Sequence, residues 1–216
     1  MSYTDIRQQV IDASIKAQKL GLIRGTSGNI SLRSDDKEVV AITPTSIPYE
    51  DLTPEMIPLV TLDGKIVEGN TRPSSELPMH LAVLRARGDV NAVVHTHSKF
   101  STILGIIGQE LPVNTIPLIA YAPKPAPIVP FEFPGTEMLG AAAAKGLGER
   151  GSAVILELHG LLTVGKTLEK AMTCSEYVEE GAEIAFYCRL ASGNVRGIPD
   201  DKIQAMIQFL TSGRAL

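Results

Sequence analysis

A strand-like apolar run ends in two histidines one residue apart, Val93-Val94-His95-Thr96-His97, and a second such run, Ala153 to Leu158, ends in a third, His159-Gly160. Side chains two apart on a strand point to the same face, roughly 6.5–7 Å apart along the backbone. Two imidazoles so placed can reach one metal ion at about 2.0–2.1 Å each. A third imidazole from a neighbouring strand end completes a site with room for water or substrate. This demand constrains the fold, because the two runs are distant in sequence and their ends must meet. A lone histidine is more often a core or surface residue with ordinary hydrogen-bond partners. The third strand end tips the reading toward a metal. Cys174 and Cys188 lie in a helical segment far from the histidines, which disfavours thiolate ligation. An all-histidine or histidine–carboxylate set suits Zn2+ best and is compatible with Mn2+, Fe2+ or Co2+.

The chain has 216 residues, 44% of them hydrophobic, enough for one large domain spanning 1–216 with a sizeable core. Its net charge is -4 and its basic residues are dispersed, which disfavours nucleic-acid binding. No apolar run reaches membrane-spanning length, and the opening residues Met1-Ser2-Tyr3-Thr4-Asp5 lack a signal peptide's basic and apolar regions. Two cysteines with helical neighbours give no disulfide framework. The expectation is a cytoplasmic protein without membrane contact.

Apolar spacing predicts an amphipathic helix from Thr4 to Leu20, stopped at Gly21. Asn29–Arg33 and Glu38–Thr43 read as a strand pair around the polar turn 34–37, and Leu59–Leu62 as a strand before the turn Asp63-Gly64. A helix is expected over Leu77–Arg87, with Pro78 in its first turn and its start near Ser74-Ser75. Asn91–Thr96 reads as a strand and Ser98–Gly105 as a helix. Pro112–Ile119 and Ile128–Phe131 read as strands, and Glu137–Leu147 as a helix. Strands Ala153–Leu158 and Leu161–Val164 flank His159-Gly160. Helices follow over Leu168–Leu190, with its glutamates outward, and over Asp200–Leu210. The mixture predicts one α/β domain.

Three small polar loops stand out. Gly25-Thr26-Ser27-Gly28-Asn29 precedes a strand, and its successive backbone N–H groups could cradle an anion, with Asn29 adding its amide. Thr45-Ser46 and Ser74-Ser75 are hydroxyl pairs beside prolines, the second at a predicted helix start, where free N–H groups favour an anion. A tight turn or a helix cap would account for any one of them; together they suggest a phosphate site. Glu76 follows directly, in a helix's first turn, where it could ligate metal or move a proton. Arg72 reads as structural. His80 likewise reads as structural or solvent-facing, although its place four residues after Glu76 puts it on the same helix face, where it could contact Glu76 as a supporting partner.

Taken together, Gly25-Thr26-Ser27-Gly28-Asn29-Ile30-Ser31, Ile42-Thr43-Pro44-Thr45-Ser46-Ile47-Pro48-Tyr49, Pro73-Ser74-Ser75-Glu76, Ala92-Val93-Val94-His95-Thr96-His97 and His159-Gly160-Leu161 resemble the class II aldolase/adducin family, and within it the fuculose-phosphate aldolase group. The resemblance covers roughly residues 5 to 190. It implies a three-layer α/β/α fold around a mostly antiparallel sheet, in a homotetramer with sites at subunit interfaces. It implies Zn2+ held by His95, His97 and His159, with Glu76 as acid/base and fourth ligand in the absence of substrate. Gly28, Asn29, Thr45, Ser46, Ser74 and Ser75 would hold the phosphate of a phosphorylated sugar. The implied reaction cleaves a ketose 1-phosphate, such as L-fuculose 1-phosphate, to dihydroxyacetone phosphate and an aldehyde through a zinc-stabilised enediolate.

The chain departs from that group. The group's tyrosine after the H-x-H helix is missing, since the loop here reads Val113-Asn114-Thr115-Ile116, and no tyrosine follows Tyr187. Ser46 stands where a glycine is common. Residues 116–128 offer Ile116, Leu118, Ile119, Ala120 and Tyr121, an apolar wall suited to a deoxy or thioether end. Methylthioribulose-1-phosphate dehydratases and sugar-acid-phosphate decarboxylases share the implied metal and phosphate sites. Pentulose-5-phosphate 4-epimerases prefer Asp at the place of Glu76 and use a C-terminal histidine, and none follows His159. A non-catalytic adducin-like binding module is expected to lack metal histidines, and all three are present.

Overall fold

The computed structural model describes residues 2–212. The first helix, α1 (Tyr3–Lys19), starts at a reciprocal cap: Ser2 Oγ accepts from Asp5 N–H, and the Asp5 carboxylate accepts from Ser2 N–H. It ends ahead of Gly21, whose φ of 74° is left-handed. Ile6, Val10, Ala13 and Ala17 are its buried face.

The strands are β1 (Gly28–Arg33), β2 (Val39–Ile42), β3 (Leu59–Thr61), β4 (Ile66–Glu68), β5 (Ala92–Thr96), β6 (Ile128–Val129), β7 (Ala153–Leu156) and β8 (Gly160–Gly165). They form one sheet in the order β4-β3-β2-β1-β5-β8-β7-β6. Every pairing is antiparallel except β6 with β7. Side-chain alternation divides the core between the two faces. Val40, Val60, Val93, Val154, Leu162 and Val164 meet α2 (Leu77–Ala86) and α5 (Glu137–Leu147). Ala41, Leu59, Ala92 and Val94 meet α1 and the start of α6 (Leu168–Ser192) on the other face. There Ala153, Ile155 and Leu161 pack with α3 (Lys99–Ile106), α4 (Ile116–Tyr121), the rest of α6 and α7 (Asp200–Thr211). The result is the expected α/β/α sandwich around a mostly antiparallel sheet.

Four local expectations are corrected. Pro112–Ile119 is not a strand, since Ile116–Tyr121 is the helix α4 with Pro117 in its first turn. Proline cannot donate to a sheet ladder and is tolerated at a helix start, so the apolar run takes the helical alternative. β4 was not expected, and its three residues are all exposed, leaving no alternation to read. β7 stops at Leu156, so His159 sits in the turn leading into β8 and not at the end of its own run. Glu179 does not face outward with the other α6 glutamates. Its carboxylate accepts from Phe100 N–H at 2.7 Å, Ser101 N–H at 2.9 Å and Ser101 Oγ–H at 2.8 Å, closing the first turn of α3.

Hydrogen bonds to a charged group contribute about 1.5–3 kcal/mol, so Glu179→Ala should lower unfolding free energy by roughly that much. Urea unfolding, with Glu183→Ala as the surface control, checks this.

Candidate metal centre

The site sits where three strand ends meet. Gly28 opposes Thr96 across β1 and β5, and Leu161 opposes Thr96 across β5 and β8. The end of β5, the start of β1 and the start of β8 therefore share one edge of the sandwich. Close approach there demands glycine. A Cβ on Gly160 would lie 2.3 Å from Thr96 O and 3.2 Å from the His97 ring. One on Gly28, whose φ is 121°, would lie 2.8 Å from His95 O.

Glu76, His95, His97 and His159 converge at this edge, each offering a ligand atom within 4.8 Å of the others. His95 Nε2 lies 3.0 Å from His97 Nε2 and 3.1 Å from Glu76 Oε2, and His159 Nε2 lies 3.5 Å from Glu76 Oε1. The three rings stand 4.7–4.9 Å apart, centroid to centroid, at 67–70° to one another. A tetrahedral ion with bonds of about 2.0–2.1 Å separates its ligand atoms by about 3.4 Å, and the observed spacings bracket that value. Two further observations fit an ion. His95 Nδ1–H donates to Leu161 O at 2.9 Å, which turns Nε2 toward the cluster. Glu76 Oε1 is buried with no hydrogen-bond partner. Burial first, and then the neighbouring His95, push the pKa of His97 and of His159 down to about 4, so both rings are neutral at pH 7, the form that can bind a metal ion. Burial alone would raise the Glu76 pKa, but His95, Asn29 and His159 outweigh it and hold the carboxyl well below its usual range.

A pocket of about 390 Å³ opens onto the cluster. Every residue expected at a phosphate lines it: Gly28, Asn29, Thr45, Ser46, Ser74 and Ser75, alongside Glu76, His97 and His159. Fully buried His95 stands behind them. The hydroxyl loops are tied together, with Thr45 N–H donating to Arg72 O and Ser74 N–H to Thr43 O, each at 3.0 Å. The Tyr49 hydroxyl donates to Gly28 O at 2.7 Å. Ser46 has a φ of 59°, a left-handed conformation that glycine adopts at no steric cost. Ser74 and Ser75 precede α2 but do not cap it. Glu76 occupies the cap position, and Ser74 Oγ accepts from Glu76 N–H at 3.2 Å.

The pocket wall also includes Thr26, Ser27 and Pro134. Thr26 and Ser27 belong to the small-residue loop already singled out, whereas no sequence signal marked Pro134. The expected apolar wall at 116–128 is absent from this pocket. α4 packs instead against α6 and α7. His80 does support Glu76 from behind, but through Asn29: His80 Nε2 lies 2.6 Å from Asn29 Oδ1, and Asn29 Nδ2–H donates to Glu76 Oε2 at 2.8 Å.

Gly160→Ala should cost roughly 1–3 kcal/mol of stability, because backbone must move on both sides of the added methyl. The same shift displaces His97, so metal affinity should fall with it. Thermal unfolding and metal titration of one preparation test both.

Residues 8–186 match the sequence profile of the class II aldolase and adducin N-terminal domain. A 5-deoxy-D-ribulose 1-phosphate aldolase of Bacillus thuringiensis serovar kurstaki is 37% identical over 198 residues, covering 92% of each chain. An L-fuculose phosphate aldolase of Escherichia coli K12 is 34% identical over 214 residues, covering 99% of this chain and 98% of the relative. A solved L-fuculose 1-phosphate aldolase superposes with a TM-score of 0.91 at 31% identity, covering 98% of both chains. Matched along most of its length in sequence and in fold, the chain belongs to the class II aldolase and adducin family.

Proposed function

We propose that this protein is a zinc-dependent aldolase, a single domain that cleaves a ketose 1-phosphate to dihydroxyacetone phosphate and an aldehyde. The observation that carries the proposal is the shared pocket: a buried carboxylate oxygen of Glu76 without a hydrogen bond, beside three imidazoles and three small hydroxyl loops. Relatives bearing aldolase names at more than 30% identity support the same reaction class.

Gly28, Asn29, Thr45, Ser46, Ser74 and Ser75 hold the substrate phosphate through hydroxyl, amide and backbone N–H donors. That anchorage spends binding energy on orienting the reacting carbons. His95, His97, His159 and Glu76 would hold the ion. When bound, zinc supplies a Lewis acid that stabilises negative charge developing on the substrate oxygens. Cleavage of C3–C4 releases the C4 hydroxyl proton as the aldehyde forms; Glu76 Oε1, held out of bulk water, takes up a proton and delivers it to the carbon that was C3 of the ketose, and removes it in the synthetic direction.

The assembly we propose is a homotetramer with sites at subunit interfaces. In it, the exposed Ile116 is available to line a neighbour's pocket. An apolar residue there favours a short or apolar-ended aldehyde, in keeping with the relative whose name specifies a 5-deoxy sugar.

Metal-loaded protein should release dihydroxyacetone phosphate from ketose 1-phosphates and lose that activity on chelation. Glu76→Gln should cost about 10²–10⁴-fold in kcat with the fold retained. Full activity after exhaustive metal removal, or an unchanged kcat in Glu76→Gln, overturns the proposal. In the synthetic direction, kcat/KM should favour acetaldehyde over polyhydroxylated aldehydes, and sedimentation at micromolar concentration should show the tetramer.

A further inference from the structure

Behind the pocket, four side chains form one chain of hydrogen bonds. Ser31 Oγ lies 2.7 Å from His80 Nδ1, His80 Nε2 lies 2.6 Å from Asn29 Oδ1, and Asn29 Nδ2 lies 2.8 Å from Glu76 Oε2. Ser31 and His80 are completely buried and line no part of the pocket, so neither reaches a substrate. Yet a hydroxyl on β1 and an imidazole on α2 meet here in full burial, where an unpaired polar group is costly.

The direction of the chain follows from its end. Glu76 is a carboxylate facing imidazoles, so Asn29 must turn its NH2 toward it. Asn29 Oδ1 then faces His80 and needs a donor, which places the imidazole hydrogen on Nε2. Nδ1 of that neutral ring is left as an acceptor, and the Ser31 hydroxyl fills it. The opposite direction would press the Asn29 carbonyl against the carboxylate. Each donor in such a series polarises the next.

We propose that Ser31 and His80 are positioning residues for Glu76 that act through Asn29. They lock the Asn29 amide with its donor toward Oε2, so Oε2 is anchored and Oε1 is the oxygen that exchanges a proton. Oε1 is the buried oxygen without a hydrogen-bond partner, as this assignment requires. The inference rests on the reading of Glu76 as acid/base, and it explains how one asparagine serves both the phosphate loop and the carboxylate. It also assigns a use to the fourth histidine of the chain.

Two measurements test it. The first needs no substrate: the ring 15N shifts of His80 should report a neutral ring protonated at Nε2. A ring protonated at Nδ1, or at both nitrogens, overturns the proposal. The second is a double-mutant cycle in metal-loaded protein. His80→Phe should lower kcat about 10–100-fold with little change in KM, as losses of outer-shell partners typically do. His80→Gln, whose amide can still donate to Asn29 Oδ1, should recover most of that loss. In an Asn29→Ala background, His80→Phe should cost less than about twofold more, because the path is already cut. Losses that simply multiply would mean that His80 acts by another route, and overturn the proposal. If His80→Phe does not fold, Ser31→Ala takes its place in the same cycle and is judged by the same criterion. Wild-type protein inactive on ketose 1-phosphates would defeat the functional reading alone, and the His80 tautomer would still decide the relay.

Discussion

A buried carboxylate must be compensated, and the site is built around that requirement. Glu76 is 6% exposed at the head of α2. An isolated charge in such a place carries a desolvation cost that only close partners offset. Asn29 comes from β1, His95 from β5 and His159 from the turn before β8. The helix on one face of the sheet is thereby pinned to three strand ends through one side chain. Removing any partner leaves a charge or a dipole stranded in the interior, so the geometry of the cluster and the cohesion of this edge of the sandwich are one property.

The pocket inherits its shape from the same edge. β5 lies between β1 and β8 in register, and glycine at 28 and at 160 lets both neighbours close onto it. Loops 43–46 and 72–75 are laced to each other through main-chain hydrogen bonds. Hydroxyl groups that look interchangeable in sequence therefore face one space. Ser46 tolerates a left-handed backbone there, a conformation costing a non-glycine residue roughly 1–2 kcal/mol. Strain of this kind persists where surrounding contacts dictate the conformation.

Much of this was legible in the residues. The period-2 placement of His95 and His97, and a third histidine beside a glycine, announced a shared site because strand geometry leaves few other uses for that pattern. Helices with clean caps or stops, such as α1 and α5, fell where their signals placed them. What stayed hidden depended on tertiary partners. The run at 116–121 is apolar enough for either element, and only Pro117 argued for a helix. β4 has no buried face to betray it. Glu179 is indistinguishable in sequence from its solvated neighbours until α3 docks on it. Helix spacing allowed a contact between His80 and Glu76, but the link runs through Asn29, which comes from β1.

The span of these contacts along the chain bears on how the molecule assembles. Asn29 and Glu76 are 47 residues apart, Ser31 and His80 are 49 apart, and His95 and Leu161 are 66 apart. Glu76, His95 and His97 lie within the consecutive α2 and β5, whereas Asn29 and His159 come from distant strand ends. Contacts of such separation form only after long loops have closed, which slows folding. The cluster is therefore complete only when β8 has paired with β5 and brought in His159. A chain in which β8 has not yet docked offers at most two of the three imidazoles to one point, so an ion held by all four residues would report on completed folding.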